Sequence, residues 1–183
     1  DMPRFISTAI ANGATENEGK KKFEMAIYLI MTSRGIPCIY YGSEQFLHND
    51  TPSTWGVGGE PYNRQMMNDF STDGTFFKNI NKLAALRQNN PAISRGIQKI
   101  RFVSDDLYVY ERELNGNVVL VAMNKGKRGN VNISTSLPDG SYNISSQVYK
   151  KILGRDIKVK DGKVMLKLNQ YEVGVWGFVK SEE

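Results

Sequence analysis

The chain has 183 residues, of which 40% are hydrophobic and 23% are charged, and these fractions are typical of a globular protein. No apolar run approaches the roughly 18 residues of a membrane-spanning helix. A single cysteine and a single histidine, His48, exclude an internal disulfide and a zinc cluster. The net charge of +5 comes from basic residues interleaved with acids, which favours a solvated surface over nucleic-acid or membrane binding.

The first part of the chain carries helical and strand patterns in turn. Apolar residues spaced three and four apart predict a helix over 19–33, and Gly35 marks its end. Residues 36–41 form a continuous apolar run with β-branched and aromatic members. Such a run is typical of a strand covered on both faces, as in a parallel sheet. We therefore expect Cys38, inside this run, to be a buried thiol, and we expect Tyr40 and Tyr41 to be core residues.

A long loop and a second helix follow. The polar stretch 43–73 predicts the loop, and an apolar stripe predicts a helix from about 75 to 88 that ends at Asn89-Asn90-Pro91. Helix, buried strand, loop and helix make the closing portion of an α/β repeat, whose strand needs neighbours on both sides. The chain opens with Asp1-Met2, already within a pattern, so we expect it to be a piece of a longer protein.

The second half alternates apolar and polar residues. Runs at 107–112 and 118–123 flank Asn115-Gly116, a strong hairpin signal. Asp161-Gly162 predicts another turn, and Trp176 alternates like a core residue. Further strands are predicted at 97–102, 130–134, 142–146, 164–168 and 173–179. Regularly spaced short strands of this kind predict an antiparallel β-sandwich.

Several strings, in this order, resemble motifs of glycoside hydrolase family 13. Asp1-Met2-Pro3-Arg4-Phe5 is similar to the end of the motif that follows the seventh barrel strand. The string from Ser33 to Gln45 resembles the eighth strand and the loop after it. Glu60-Pro61-Tyr62-Asn63-Arg64 resembles a string of cyclodextrin glucanotransferases and related amylases, with Glu60 in place of the usual Asp. Leu83-Ala84-Ala85-Leu86-Arg87 resembles the last barrel helix.

The resemblance implies a fold of the α/β plus all-β class. Residues 1–93 would be the last part of a (β/α)8 TIM barrel, and residues 94–183 an antiparallel β-sandwich of the Greek-key type, the family's domain C. In such barrels the active-site residues lie on loops that follow the strands. Asp1 and the 43–73 loop are then expected on the active face.

The resemblance also implies roles for individual residues. Asp1 is expected to be a catalytic carboxylate that binds sugar hydroxyls and stabilises the oxocarbenium-like transition state, the alternative being an exposed terminus. Glu60 and Arg64 are expected to bind sugar on the donor side, and the alternative is a surface ion pair. Trp55, in a glycine-rich loop, either stacks on a sugar or anchors the loop. No metal ligand is predicted in the chain, and His48 is not expected to be catalytic.

The function that the resemblance implies is that of a retaining enzyme acting on α-1,4-glucans: starch, maltooligosaccharides or cyclodextrins. Hydrolase and transferase both remain open. The nucleophile and general acid belong to strands absent from this sequence, so we expect the chain alone to be inactive and to need the remaining N-terminal part of the barrel as a partner. The family implies secretion, and calcium for the intact enzyme only. The alternatives are a non-catalytic glucan-binding module and a structural fragment.

Overall fold

A computed structural model describes residues 2–146 and 148–180, which form four α-helices and nine β-strands. The helices are α1 (Phe5–Ala11), α2 (Glu16–Thr32), α3 (Thr75–Asn89) and α4 (Pro91–Arg95). The strands are β1 (Ile97–Val103), β2 (Leu107–Leu114), β3 (Asn117–Asn124), β4 (Arg128–Ser134), β5 (Gly140–Tyr142), β6 (Tyr149–Leu153), β7 (Ile157–Lys160), β8 (Lys163–Asn169) and β9 (Glu172–Phe178).

These residues divide into two compact units. The first comprises the described residues up to Ile27 together with Cys38–Ile80, and the second comprises Tyr28–Pro37 together with the described residues from Asn81 onward. Helices α2 and α3 therefore contribute residues to both units. The predicted domain boundary near residue 93 concerns the intact enzyme and stays a prediction.

Helix α2 begins three residues before its predicted start because of a capping box. The backbone N–H of Glu18 donates to Thr15 Oγ1 at 3.2 Å, and the backbone N–H of Thr15 donates to Glu18 Oε2 at 3.0 Å. This reciprocal pair satisfies two backbone donors that a helix start otherwise leaves open. The predicted helices over 19–33 and 75–88 are both confirmed, with ends shifted by one to three residues.

The first unit is held together by an aromatic cluster. Phe23 lies at its centre, with ring centroids 5.5 Å from Phe5, 6.4 Å from Phe46 and 6.0 Å from Phe76. Phe46 and Phe76 stack at 4.5 Å. The cluster joins residues of α1, α2 and α3 to the start of the long loop. This loop is mostly irregular, as predicted, and includes short 3-10 turns at Ser43–Gln45 and Tyr62–Arg64.

The prediction of a buried strand at residues 36–41 is wrong for this structure. The segment has no strand assignment and pairs with no described strand. Ile36 is 96% exposed, and Tyr40, Tyr41 and Cys38 are exposed as well, which corrects their assignment to the core. The physical reason is that a strand needs neighbouring strands to pair its backbone groups, and no described strand pairs with this segment. The barrel part of the predicted fold stays a prediction.

The second unit contains the predicted β-sandwich. One sheet has the order β1-β2-β3-β9-β6 and the other β4-β8-β7-β5, and every strand pair is antiparallel. Buried side chains from both sheets meet in one core, in which Trp176 is 2% exposed, as predicted. Strand β3 is buried on both faces, because its other face lies beneath helix α4.

Sequence signals located most of this unit. Asn115 and Gly116 have φ of 50° and 83° and connect β2 to β3, as a two-residue hairpin turn requires. Asp161 and Gly162 connect β7 to β8 in the same way. The strand predicted over 142–146 is wrong in position, since β5 ends at Tyr142, and strands β6 and β7 were not predicted.

Two arginines of the second unit donate hydrogen bonds to backbone carbonyls at the C-terminal end of α2. Arg87 donates to the carbonyl oxygens of Met31 at 3.0 Å and Gly35 at 2.7 Å. Arg112, from β2, donates to the carbonyl oxygen of Thr32 at 3.2 Å. Burial lowers the pKa of both guanidiniums from their ordinary value, but an arginine remains charged at neutral pH. Two positive charges therefore lie at the negative end of the helix dipole, where they stabilise the helix.

A buried carboxylate joins the two sheets. Glu111 on β2 is fully buried, and Arg101 Nε on β1 donates to it at 2.7 Å. The backbone N–H of Ser136 donates to the same carboxylate at 3.0 Å, and the hydroxyl of Thr135 also donates. Thr135 and Ser136 follow β4, which belongs to the opposite sheet.

Among the described residues, none of the helices combines the length and the hydrophobicity that a membrane span requires.

Candidate functional site

The described residues of the predicted site, Trp55, Glu60 and Arg64, belong to the first unit, where the N-terminal segment lies against the long loop. Asp1 itself lies outside the described residues. The carbonyl oxygen of its neighbour, Met2, accepts a hydrogen bond of 3.0 Å from Asn63 Nδ2. Asn63 is in the Tyr62–Arg64 turn, within the string that contains the predicted sugar-binding residues. The chain segment next to Asp1 is therefore tied to the Glu60–Arg64 loop.

Arg4 strengthens this connection. Its Nε donates to the carbonyl oxygen of Asn63 at 3.1 Å, and its Nη1 donates to the carbonyl oxygen of Tyr41 at 2.8 Å. The guanidinium carbon also lies 4.8 Å from the ring centroids of both Tyr40 and Tyr41, within cation–π range. Sequence reasoning did not single out Arg4 or Asn63. The available signal was their place inside the Asp1–Phe5 and Glu60–Arg64 strings, which this contact brings together.

Glu60 and Arg64 form an ion pair. Arg64 Nη2 lies 2.8 Å from Glu60 Oε1, and the side chains are 56% and 40% exposed for Arg64 and Glu60. An exposed pair of this kind contributes only about 0–1 kcal/mol to stability. The structure thus brings together two residues predicted to bind sugar, and both side chains are partly exposed. Their assignment as sugar-binding residues stays a prediction.

Trp55 lies in a loop that folds back on itself. Its backbone N–H donates to Ser53 Oγ at 3.1 Å, and the N–H of Gly59 donates to the carbonyl oxygen of Gly56 at 3.0 Å. At Gly58, with φ of 71°, an added Cβ would meet the carbonyl oxygen of Asn49 at 1.9 Å, so only glycine fits there. Trp55 is 62% exposed, and its carbonyl oxygen and Cβ lie close to Gly59. Such a ring is accessible for stacking on a flat apolar surface.

His48 takes part in hydrogen bonds of the same loop. Its Nδ1 lies 2.8 Å from the carbonyl oxygen of Phe46, and Gln65 Nε2 donates to the carbonyl oxygen of His48 at 3.0 Å. These hydrogen bonds indicate that His48 stabilises the loop. Across the described residues, no group of three or more histidine, cysteine, aspartate or glutamate side chains is arranged to hold a metal ion.

The chain is similar in sequence to cyclomaltodextrin glucanotransferases and to an α-amylase. It is 38% identical to the cyclomaltodextrin glucanotransferase of Thermoanaerobacterium thermosulfurigenes over 187 aligned positions, which cover 99% of this chain and 25% of that enzyme. It is 42% identical to an α-amylase of Niallia circulans over 145 positions, which cover 78% of this chain and 24% of that enzyme. No protein-family model matches the chain.

A solved structure agrees with these matches. The cyclomaltodextrin glucanotransferase CldA, which has a three-domain ABC distribution, superposes with a TM-score of 0.79 and 42% identity over 99% of this chain and 35% of that one. The chain therefore belongs to glycoside hydrolase family 13, as a segment homologous to part of its cyclomaltodextrin glucanotransferases and α-amylases. It spans about a quarter of the length of the curated relatives it matches.

Proposed function

We propose that this segment is part of a retaining enzyme that acts on α-1,4-glucans such as starch, maltooligosaccharides or cyclodextrins. The relatives carry the names of a transferase and of a hydrolase, so both transfer to sugar and transfer to water are included. The observation that carries the proposal is the hydrogen-bonded connection between the segment next to Asp1 and the loop that holds Glu60 and Arg64.

In this proposal the first unit forms one wall of the substrate site. The carboxylate of Asp1 would accept charge-assisted hydrogen bonds from sugar hydroxyls and stabilise the positive charge that develops on the ring. Glu60 and Arg64 would accept from and donate to hydroxyls of a sugar further along the chain. Trp55, accessible at the loop surface, would stack on a sugar face.

Retaining glycoside hydrolysis also needs a nucleophile and a general acid whose carboxyl groups lie about 5 Å apart. We assign both to segments of the intact enzyme that this chain does not contain. The remaining barrel is then the partner of the first unit, whose segment 38–41 would gain neighbouring strands. Secretion and calcium binding of the intact enzyme follow from the family and are part of the proposal.

The alternative of a glucan-binding module in the β half receives less support. Binding of neutral glucans usually depends on exposed aromatic rings, which provide a flat apolar face. Among residues 97–146 and 148–180, every aromatic side chain is buried or half-buried. The exposed aromatic residues of the described chain lie in the first unit: Phe5, Tyr40, Tyr41, Trp55, Tyr62 and Phe70. This distribution favours the first unit as the sugar-contacting part.

Two measurements test the proposed function. The 183-residue chain alone should release no reducing sugar and form no cyclodextrin from soluble starch, and clear activity would contradict the assignment of the nucleophile and acid to other segments. In the intact enzyme, Asp1→Asn should lower kcat by several orders of magnitude while the thermal unfolding midpoint stays the same. Near-normal turnover of that variant would remove Asp1 from the mechanism.

A further inference from the structure

An open cavity of about 410 Å³ lies in the first unit beside the Arg4–Asn63 connection. Its wall combines apolar and polar surface in similar amounts, with contributions from α1, α2 and residues 38–40. An open cleft of this size is large enough to receive side chains of another segment or a small ligand. The cavity is therefore a place where further groups are expected to pack.

Two polar side chains on the wall of this cavity have atoms without a partner. Arg4 is 9% exposed and Asn63 is 7% exposed. Arg4 Nη2 and Asn63 Oδ1 are both buried, and neither makes a hydrogen bond within the part of the chain that the structure describes. Leaving a buried polar atom unsatisfied destabilises the folded state, and more so for a charged group. Each atom thus indicates a missing partner, an acceptor for Arg4 and a donor for Asn63.

The charge of Arg4 restricts what that acceptor is. The described partners of its guanidinium are two backbone carbonyls and two aromatic rings, none of which carries a negative charge. The titratable groups that face it or line the cavity are Tyr40, Tyr41 and Cys38, and no described carboxylate is among them. A buried arginine is stable when a carboxylate pairs with it and its remaining donors are satisfied.

We infer that Arg4 Nη2 and Asn63 Oδ1 form a recess that receives a carboxylate side chain, accompanied by a hydrogen-bond donor, from a barrel segment of the intact enzyme outside this chain. This inference rests on the proposed function, because it requires the first unit to be one part of a larger barrel. The remaining barrel then contacts the first unit through a buried ion pair as well as through apolar packing. Since Arg4 also binds Tyr41 and Asn63, the ion pair would fix the loop that carries Arg64.

The test uses the intact enzyme and the dependence of its stability on pH. Arg4→Gln keeps donors for the two carbonyls but removes the charge, so a facing carboxylate becomes buried and unpaired. The pKa of that carboxylate would rise, and its ionised form would destabilise the variant as pH increases. The unfolding midpoint of Arg4→Gln, relative to wild type, should therefore fall further at about pH 7.5 than at about pH 5, a window below the ordinary titration of thiols and phenols. Arg4→Lys, which keeps the charge, should show a similar loss at both pH values.

Equal losses for Arg4→Gln at both pH values would overturn the inference, since a role limited to the backbone carbonyls does not depend on pH. Arg128→Gln, which removes the same charge from an exposed position on β4, is the matched control and should show no such difference. If Arg4→Gln does not fold, an experimental structure of the intact enzyme decides: a carboxylate oxygen is expected within about 3.2 Å of Arg4 Nη2, and a carbonyl or water there would contradict the ion pair. Starch activity of the wild type, measured in parallel, tests the proposed function separately.

Discussion

The hydroxyl oxygen of Thr32, in the last turn of α2, lies 2.6 Å from the phenol oxygen of Tyr110 on β2. Both groups are buried, and Thr32 Oγ1 also lies 2.6 Å from the carbonyl oxygen of Tyr28. Burial raises the pKa of Tyr110 from its ordinary value, so the phenol is protonated at neutral pH and has a hydrogen to donate. This hydrogen bond thus joins α2 to the five-stranded sheet.

Removing that contact should lower the stability of the second unit. Tyr110→Phe keeps the ring but leaves the Thr32 hydroxyl with one partner fewer, and we expect a loss of about 1–2 kcal/mol in the free energy of unfolding. Denaturant unfolding followed by the fluorescence of Trp176, in a Trp55→Phe background, measures it. Tyr149→Phe is the control, since the Tyr149 hydroxyl makes no hydrogen bond within the described residues; an equal loss there would refute a specific role for Tyr110.

Glu111 should be among the most sensitive positions of the sandwich. Glu111→Gln removes the charge that Arg101 faces, and we expect a loss of about 3 kcal/mol in unfolding free energy, because breaking a buried pair leaves the other charge unpaired. A double-mutant cycle with Arg101→Met measures the coupling. If the two single losses simply add, the ion pair does not join β1 to β2 energetically.

Asp139 should make the stability of the second unit depend on acid pH. The backbone N–H groups of Gly162 and Asp161 donate to its carboxylate at 3.0 and 2.7 Å and lower its pKa below its ordinary value of 3.8. A lowered folded pKa gives stability that is present above the unfolded pKa and is lost as pH falls through the folded one.

The corresponding measurement is the unfolding midpoint between about pH 2 and about pH 6. Asp139→Asn should flatten this profile, since its side chain no longer titrates, whereas Asp105→Asn, at an exposed turn position, should leave it unchanged. An unaltered profile for Asp139→Asn would mean that other carboxylates produce the acid transition.

Arg64 should affect substrate binding more than stability. In the intact enzyme, Arg64→Gln is expected to raise KM for maltooligosaccharides about tenfold, as loss of one charged hydrogen bond to a substrate would, with kcat changed much less. The control is Lys20→Gln, which breaks a similarly exposed ion pair with Glu16 on α2. If both variants leave KM unchanged, the Glu60–Arg64 pair is only a surface ion pair.

How far the sequence predicts this structure depends on whether the decisive contacts are local. The Asn115-Gly116 hairpin is predictable because its turn requires residues that tolerate positive φ. The predicted start of α2 is three residues late, although Thr15 and Glu18 carry a local capping signal. The buried strand at 36–41 was wrong because its apolar pattern depends on neighbouring strands, and none is present among the described residues. Local sequence pattern therefore predicts the type of an element better than it predicts which segments pack around that element.

The candidate site follows the same rule. The pairing of Glu60 with Arg64 lies within one short string, so the motif already brought them together. Arg4 instead contacts Tyr41 and Asn63 across 37 and 59 residues of sequence, and no periodicity signals a contact at that separation. The role of Asp1 rests on the motif alone, as it lies outside the described residues.

The two arginines at the end of α2 have a consequence for how this sandwich can be moved between proteins. Arg112 donates to the carbonyl oxygen of Thr32. Thr32 and Arg87 both precede the predicted domain boundary, yet they belong to the same compact unit as the strands. A sandwich grafted from residue 94 onward would leave Arg112 without Thr32 and Tyr110 without its hydroxyl partner. Recombination of this segment with other barrels should therefore succeed only when the end of α2 and the last turns of α3 are inherited with the sheets.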